Sequence, residues 1–215
     1  MPIWKEQPVA IAGTLTDDRV VALTFDYDQG EGAAPQILAI LKEGNAKATF
    51  FMNGNSVRDN PELVHRMMAE GHEIGNQGYS QQDYRRLTAA QIEGEIRSCN
   101  TVFEKMTGLK SSLVRFPLGH FNRDSLEAVN KLGFTAIIWN IDSKDTTITS
   151  ADRIVEQIAG HIKPGSIILL HCSDRIAGTV QALPAILKLI GDAGYQTVTV
   201  GQLLQQHSQK GVVRY

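Results

Sequence analysis

Two cysteines, Cys99 and Cys172, in 215 residues cannot build a disulfide framework. Charge of one sign is also missing. Lys and Arg number 21 against 23 Asp and Glu, for a net charge of -2. That leaves no basic footprint for nucleic acid. No apolar run approaches the roughly 20 residues needed to cross a bilayer, so no membrane span is expected. The first eight residues lack the charged-then-apolar pattern of a leader, which leaves the compartment open. There is no repeat, no low-complexity tract and no linker. What remains is ordinary globular composition, 42% hydrophobic and 20% charged, in a chain long enough for one well-buried domain.

Residues 1–18 read as a lead-in, 19–206 as the domain and 207–215 as a tail. Val20-Val21-Ala22-Leu23 is a short apolar run, rich in β-branched residues, and reads as a first strand. It ends on the acidic stretch Thr24-Phe25-Asp26-Tyr27-Asp28. Residues 33–43 then repeat apolar groups at helical spacing and stop near Gly44. Ala48 to Met52 reads as a buried strand. Asn60-Pro61 starts a helix that ends near Gly71, with Asn as cap and Pro at the first turn. His72 to Asn76 is a third strand. Thr88 and Gln91 form a capping box, followed by Ile92, Ile96, Cys99 and Phe103 on one helical face. Further strands are expected at 112–116, 134–141, 165–170 and 196–200, with helices capped by Asn122 and Ser150 between them. About seven strands alternating with helices argue a parallel sheet with crossover helices. In so short a chain they suit a distorted, incomplete (β/α) barrel, although pattern alone also permits an open doubly wound sheet.

Several polar residues then fall where strands end: Asp26, Asp28, Gln77, Gln81, Arg115, Asp142, Asp145 and His171. A barrel gathers such loops at one rim. Each has a plainer reading. An aspartate after a strand is commonly a turn or cap residue. A lone arginine is commonly an ion-pair residue, and Asp142 to Asp145 makes an ordinary polar turn. His171 closes the apolar strand Ile167-Ile168-Leu169-Leu170 and is harder to dismiss, although a solitary strand-end histidine is a structural residue about as often as not. The shared strand-end position gives the functional reading its weight.

Five segments, in order, resemble the polysaccharide deacetylases of carbohydrate esterase family 4, the NodB homology domain. They are Leu23-Thr24-Phe25-Asp26, Lys47-Ala48-Thr49-Phe50-Phe51, Gly71-His72-Glu73-Ile74-Gly75-Asn76, Arg115-Phe116-Pro117-Leu118-Gly119, and Gly165 through His171. The resemblance covers roughly residues 19–206. It implies a distorted (β/α) barrel and metal-dependent removal of acetyl groups from N-acetylglucosamine polymers or acetylated xylan. The metal in active relatives is usually zinc, held by one aspartate and two histidines. By that resemblance Asp26 is the base, Arg115 orients it, and the Leu118 backbone N–H faces the oxyanion. Leu169 walls the acetyl pocket, Asp145 tunes His171, and His171 is the acid. The implied partner is acetylated polysaccharide or a peptidoglycan-type glycan, met outside the cytoplasm or in the cell envelope.

The ligand positions break the pattern. Tyr27 stands where the family has its metal aspartate, and Gln77 and Gln81 stand at its two histidine positions. A glutamine carbonyl is neutral and less basic than imidazole, and zinc prefers nitrogen, thiolate and carboxylate ligands. A metal lowers the pKa of water from about 15.7 to about 7. Losing it removes up to roughly 11 kcal/mol of nucleophile activation, at about 1.36 kcal/mol per unit. A general base alone returns only about 10²–10⁴-fold. The expected cofactor is therefore none, or a weakly held metal, with deacetylation impaired or lost and a glycan groove retained. The alternative is an active amide or ester hydrolase with a rearranged metal site that uses Asp26, Asp28 and His120. A third reading is a partner-binding protein without glycan affinity.

Overall fold

The computed structural model describes residues 8–27, 32–108, 110–173 and 176–215. The strands are β1 (Ala10–Thr14), β2 (Val20–Tyr27), β3 (Ala48–Met52), β4 (Glu73–Asn76), β5 (Leu113–Val114), β6 (Thr135–Ile137), β7 (Ile141–Asp142), β8 (Ile167–His171), β9 (Gln196–Thr197) and β10 (Val212–Arg214). The helices are α1 (Ala34–Glu43), α2 (Gly54–Asp59), α3 (Pro61–Ala69), α4 (Ala89–Thr107), α5 (Arg123–Lys131), α6 (Ala151–Ala159), α7 (Ala177–Asp192) and α8 (Val200–His207). The sheet runs β10-β1-β6-β5-β4-β3-β2-β8-β7, with β9 on β2. All these pairings are parallel except β1 with β10. The sheet curls into an incomplete, distorted (β/α) barrel. No helix among the described residues is long and apolar enough to cross a membrane.

Among the described residues, ten strands stand where seven were expected. Two come from the segments read as lead-in and tail, β1 and β10, which pair antiparallel with each other. The run 134–141 is two strands, because the chain crosses there between sheet ends. Ile138 N–H donates to Ile11 O at 2.9 Å and Asn140 N–H to Ile167 O at 3.2 Å. Asn60 does not cap α3 through its side chain. Its amide donates to Ser56 O at 2.9 Å and closes α2, a short helix absent from the sequence pattern. The Thr88–Gln91 capping box and the Asn122 cap form as expected, whereas Ser150 makes no side-chain cap.

Two-residue periodicity sorts the strands. On β2, Val21, Leu23, Phe25 and Tyr27 join the large outer cluster beneath the helices. Ala22 faces inward with Ile11, Phe51, Leu113, Ile137 and Ile167, and Val200 and Leu203 of α8 close this inner cluster. Thr49 Oγ1 accepts from Val200 N–H at 2.9 Å and Glu73 Oε2 from Gly201 N–H at 2.9 Å, so α8 is tied to the strand starts. The opposite end, where strands finish, is left for polar groups.

A seam joins β1 to β8. Thr14 N–H donates to Gly165 O at 3.0 Å, and Gly13 bridges Ser166. Gly165 sits at φ +78°, and a Cβ there would lie 2.2 Å from Thr14 O. Gly165→Ala is expected to lower stability by more than about 1 kcal/mol, read as a reduced urea midpoint. An unchanged midpoint would show that the seam is not a structural requirement.

Candidate active site

The inward column of β2 continues upward through Thr24 to Asp26. Thr24 pairs in register with Leu169 of β8, and Asp26 with His171. Register partners in a parallel pair share a face, so His171 projects on the side of Asp26. Arg115 follows β5, and its N–H donates to Asn76 O at 2.9 Å. Its side chain is fully buried. Nη1 donates to Asp26 Oδ1 at 2.8 Å and to Thr24 Oγ1 at 2.9 Å. Nη2 donates to Ile138 O at 3.2 Å and Nε to Ile137 O at 3.4 Å. The guanidinium carbon also lies 4.0 Å over the Phe51 ring and 5.4 Å from that of Trp139. Burial lowers the Arg115 pKa from its ordinary value, and Asp26 opposes that shift. Thr24 passes its own proton on to Ile168 O at 2.7 Å.

The second oxygen of Asp26 meets an amide. Gln77 is fully buried, and its Nε2 donates to Asp26 Oδ2 at 2.8 Å. Only an N–H can face a carboxylate, so Gln77 Oε1 turns the other way and accepts from Gln81 Nε2 at 3.2 Å. Gln81 holds φ +61°. The result is a polar chain from Gln81 through Gln77 and Asp26 to Arg115.

Tyr27 lies outside this chain. It is the next residue on the strand, belongs to the outer cluster with Phe25 and Met52, and has no exposed surface. The donor set therefore does not fit a metal. Gln77 offers an amide nitrogen with no available lone pair, both Asp26 oxygens already hold N–H donors, and Tyr27 is on the other face. Among the described residues no three His, Cys, Asp or Glu side chains are grouped to hold an ion. His120, considered as a replacement ligand, sits 3.0 Å from Arg85 Nη2 and 3.6 Å from Asp83 Oδ2. Asp28, the other such candidate, lies outside the described residues.

Asp145 and His171 form a second unit. Asp145 Oδ1 is 2.7 Å from His171 Nδ1. Its Oδ2 accepts from His171 backbone N–H at 2.8 Å and from Thr179 Oγ1 at 2.6 Å. Burial by itself raises this carboxyl's pKa. The His171 and Thr179 donors together outweigh it and hold the group below its ordinary value. Asp142 stays apart, bound to Lys144 Nζ at 2.8 Å. Leu169 is 3% exposed. Leu118 is 62% exposed and sits at φ +60°. Gly119 beside it packs so closely on Trp139 that a Cβ would lie 2.6 Å from the indole.

Four non-glycine residues among those described have positive φ, and three of them, Gln81, Leu118 and Lys144, lie on strand-end loops at this rim. Backbone strain of this kind collects at functional sites. Thr24 and Thr179 were not singled out from sequence. The strand period does put Thr24 on the face of Asp26, but nothing in α7 marks Thr179.

Residues 14–137 match the sequence profile of the polysaccharide deacetylase family. A chitooligosaccharide deacetylase from Bradyrhizobium sp. (strain ANU 289) is 31% identical over 206 residues, covering 89% of this chain and 93% of its own. The crystal structure of the Bc1960 peptidoglycan N-acetylglucosamine deacetylase, bound to a hydroxamate-type benzamide, superposes with TM-score 0.88 at 29% identity, covering 95% of this chain and 97% of that one. A wild-type CE4 family pseudoenzyme from Bacillus anthracis superposes with TM-score 0.85 at 26% identity, covering 92% and 69%. A mutant of that pseudoenzyme is described as having restored enzymatic activity.

Removing Arg115 strands a buried carboxylate. Arg115→Met is expected to cost about 3–5 kcal/mol, and adding Asp26→Asn to recover part of it, both read by chemical denaturation. A double variant no better than the single would mean the pair is not coupled. Tyr27→Asp removes a core ring and buries a charge, so a loss of about 3–5 kcal/mol is expected. A parent-like midpoint would show that Tyr27 is not a core residue.

Proposed function

The chain belongs to the polysaccharide deacetylase family, and we propose that it has lost metal-dependent deacetylation while keeping the groove as a glycan-binding site. One observation carries this reading, the 2.8 Å hydrogen bond from Gln77 Nε2 to Asp26 Oδ2. In relatives with the usual ligands, a metal supplies activated water and polarises the acetyl carbonyl. Here an uncharged amide takes up the carboxylate that would serve as base. Arg115 still holds Asp26 in place, Asp145 still orients His171, and Leu118 N–H remains the assigned oxyanion donor. These groups can position a sugar and its acetamide. None of them makes a nucleophile of water at neutral pH to the extent amide hydrolysis requires.

The glycan part rests on the relatives, whose names describe action on chitooligosaccharide and peptidoglycan. Loss of activity has a parallel in the Bacillus anthracis pseudoenzyme, which has the same fold. The rearranged-centre alternative would require His120 to leave Asp83 and Arg85.

The test is acetate release from chitooligosaccharide and from peptidoglycan with added zinc, alongside metal analysis. The parent protein is expected to hold no stoichiometric zinc and to release no acetate above the blank. Gln77→His with Gln81→His is expected to take up zinc, with Tyr27 left in place because its ring is part of the core. Tight zinc and ordinary turnover in the parent would overturn the proposal.

A further inference from the structure

A cleft of about 410 Å³ opens at the end of the barrel where strands start, away from Asp26 and His171. It lies between the last turns of α3 and α4, the first turn of α8 and the starts of β4 and β5. Its size is in the range of small-molecule sites. Met68, Ile74, Phe103 and Leu113 form apolar walls. Its polar groups carry both signs of charge. Glu73, half-buried, opens β4 at this cleft. Its Oε2 accepts from Thr49 Oγ1 at 2.8 Å and from Gly201 N–H at 2.9 Å. These two donors favour the carboxylate against the burial that raises its pKa. Oε1 has no hydrogen-bond partner among the described residues. Lys110 Nζ, at the mouth, is held by Glu104 at 3.1 Å in an exposed pair, of a kind that contributes little. Gln202 is exposed, and its Oε1 accepts from Thr199 N–H at 3.0 Å. That leaves its Nε2 without a partner among the described residues. His72 lines the same cleft. Its Nδ1 accepts from Ala48 N–H at 3.2 Å, so Nε2 carries the hydrogen, and that buried N–H is unpartnered. Burial, with Lys47 nearby, lowers the His72 pKa to about 4, so the ring adds no charge at neutral pH.

We infer that this cleft binds a free α-amino acid with an apolar side chain, its ammonium on Glu73 and its carboxylate on Lys110 and Gln202. The site is separate from the glycan groove and does not depend on it. A carboxylate alone would bring negative charge beside Glu73, and an amine alone would bring positive charge beside Lys110. A zwitterion answers both groups at once and leaves its side chain for the four apolar walls. A neutral sugar offers hydroxyls to the same groups but no charge for either.

The test is a nuclear magnetic resonance titration of the unmodified protein with L-leucine, isocaproate and isoamylamine, followed at the His72 ring and the Ile74 and Leu113 methyl groups. Isocaproate is leucine without its amine, and isoamylamine is leucine without its carboxyl. Leucine is expected to shift these signals saturably and to bind about tenfold or more tightly than either, the size of one charge-assisted hydrogen bond. Lys110→Met should bring leucine down to the level of isoamylamine without weakening isoamylamine itself. Glu73→Gln should bring leucine down towards isocaproate. Asp192→Asn, on the exposed end of α7, should change nothing. If either half-ligand binds as well as leucine, the zwitterion inference falls. Leucine binding that survives both cleft variants also overturns it, as does the absence of any saturable shift at the three residues. Should Glu73→Gln not fold, because Glu73 also holds α8, Lys110→Met and the two half-ligands decide alone.

Discussion

A guanidinium with no exposed surface is tolerated only where acceptors surround it and a counter-charge answers it. Arg115 meets both conditions through Asp26, Thr24 and two carbonyls of the 137–138 segment. Those partners come from β2 and from the end of β6, well separated in sequence, so the ion pair fixes how the upper barrel closes. Asp26 is therefore a structural residue as well as the assigned base. Losing Asp26 alone would leave Arg115 buried without its counter-charge, whatever the protein's activity.

The glutamines fit the same constraint. The Asp26 oxygen that Arg115 does not hold needs a donor of its own, because a buried acceptor without a partner is costly. Gln77 supplies one, and Gln81 in turn satisfies Gln77. On the other face, Tyr27 joins Phe25 and Met52 in the outer cluster. Two amides thus satisfy the second Asp26 oxygen in series, and an aromatic ring adds apolar contact beneath the rim.

Much of this could be read from the sequence, for physical reasons. The alternation of short apolar runs with helical faces carried the barrel, since parallel strands buried on both faces read as continuous apolar stretches. The strand-end position carried Asp26, Arg115, Asp145 and His171, because a parallel sheet delivers all its strand ends to one side. β1 and β10 were not legible. β10 is a three-residue strand that pairs antiparallel at the sheet margin, and β1, although apolar and buried between β10 and β6, is too small a run of Val, Ala and Ile to stand out from a lead-in. The break within 134–141 was hidden because Ile137, Ile138 and Ile141 keep an apolar run while the backbone changes partners. The direction of the Gln77 amide could not be read either. It depends on Asp26, some fifty residues earlier in the chain, which only the fold brings beside it.

The side-chain amide of Gln77 reports the central claim directly. Its NH2 resonances, assigned by comparison with Gln77→Glu, can be followed for hydrogen exchange and through a zinc titration. The account predicts slow exchange, as for a buried donor held by Asp26, and no shift at one equivalent of zinc. Fast exchange, or a shift that saturates at one equivalent, would show that Gln77 is released to a metal and would contradict it.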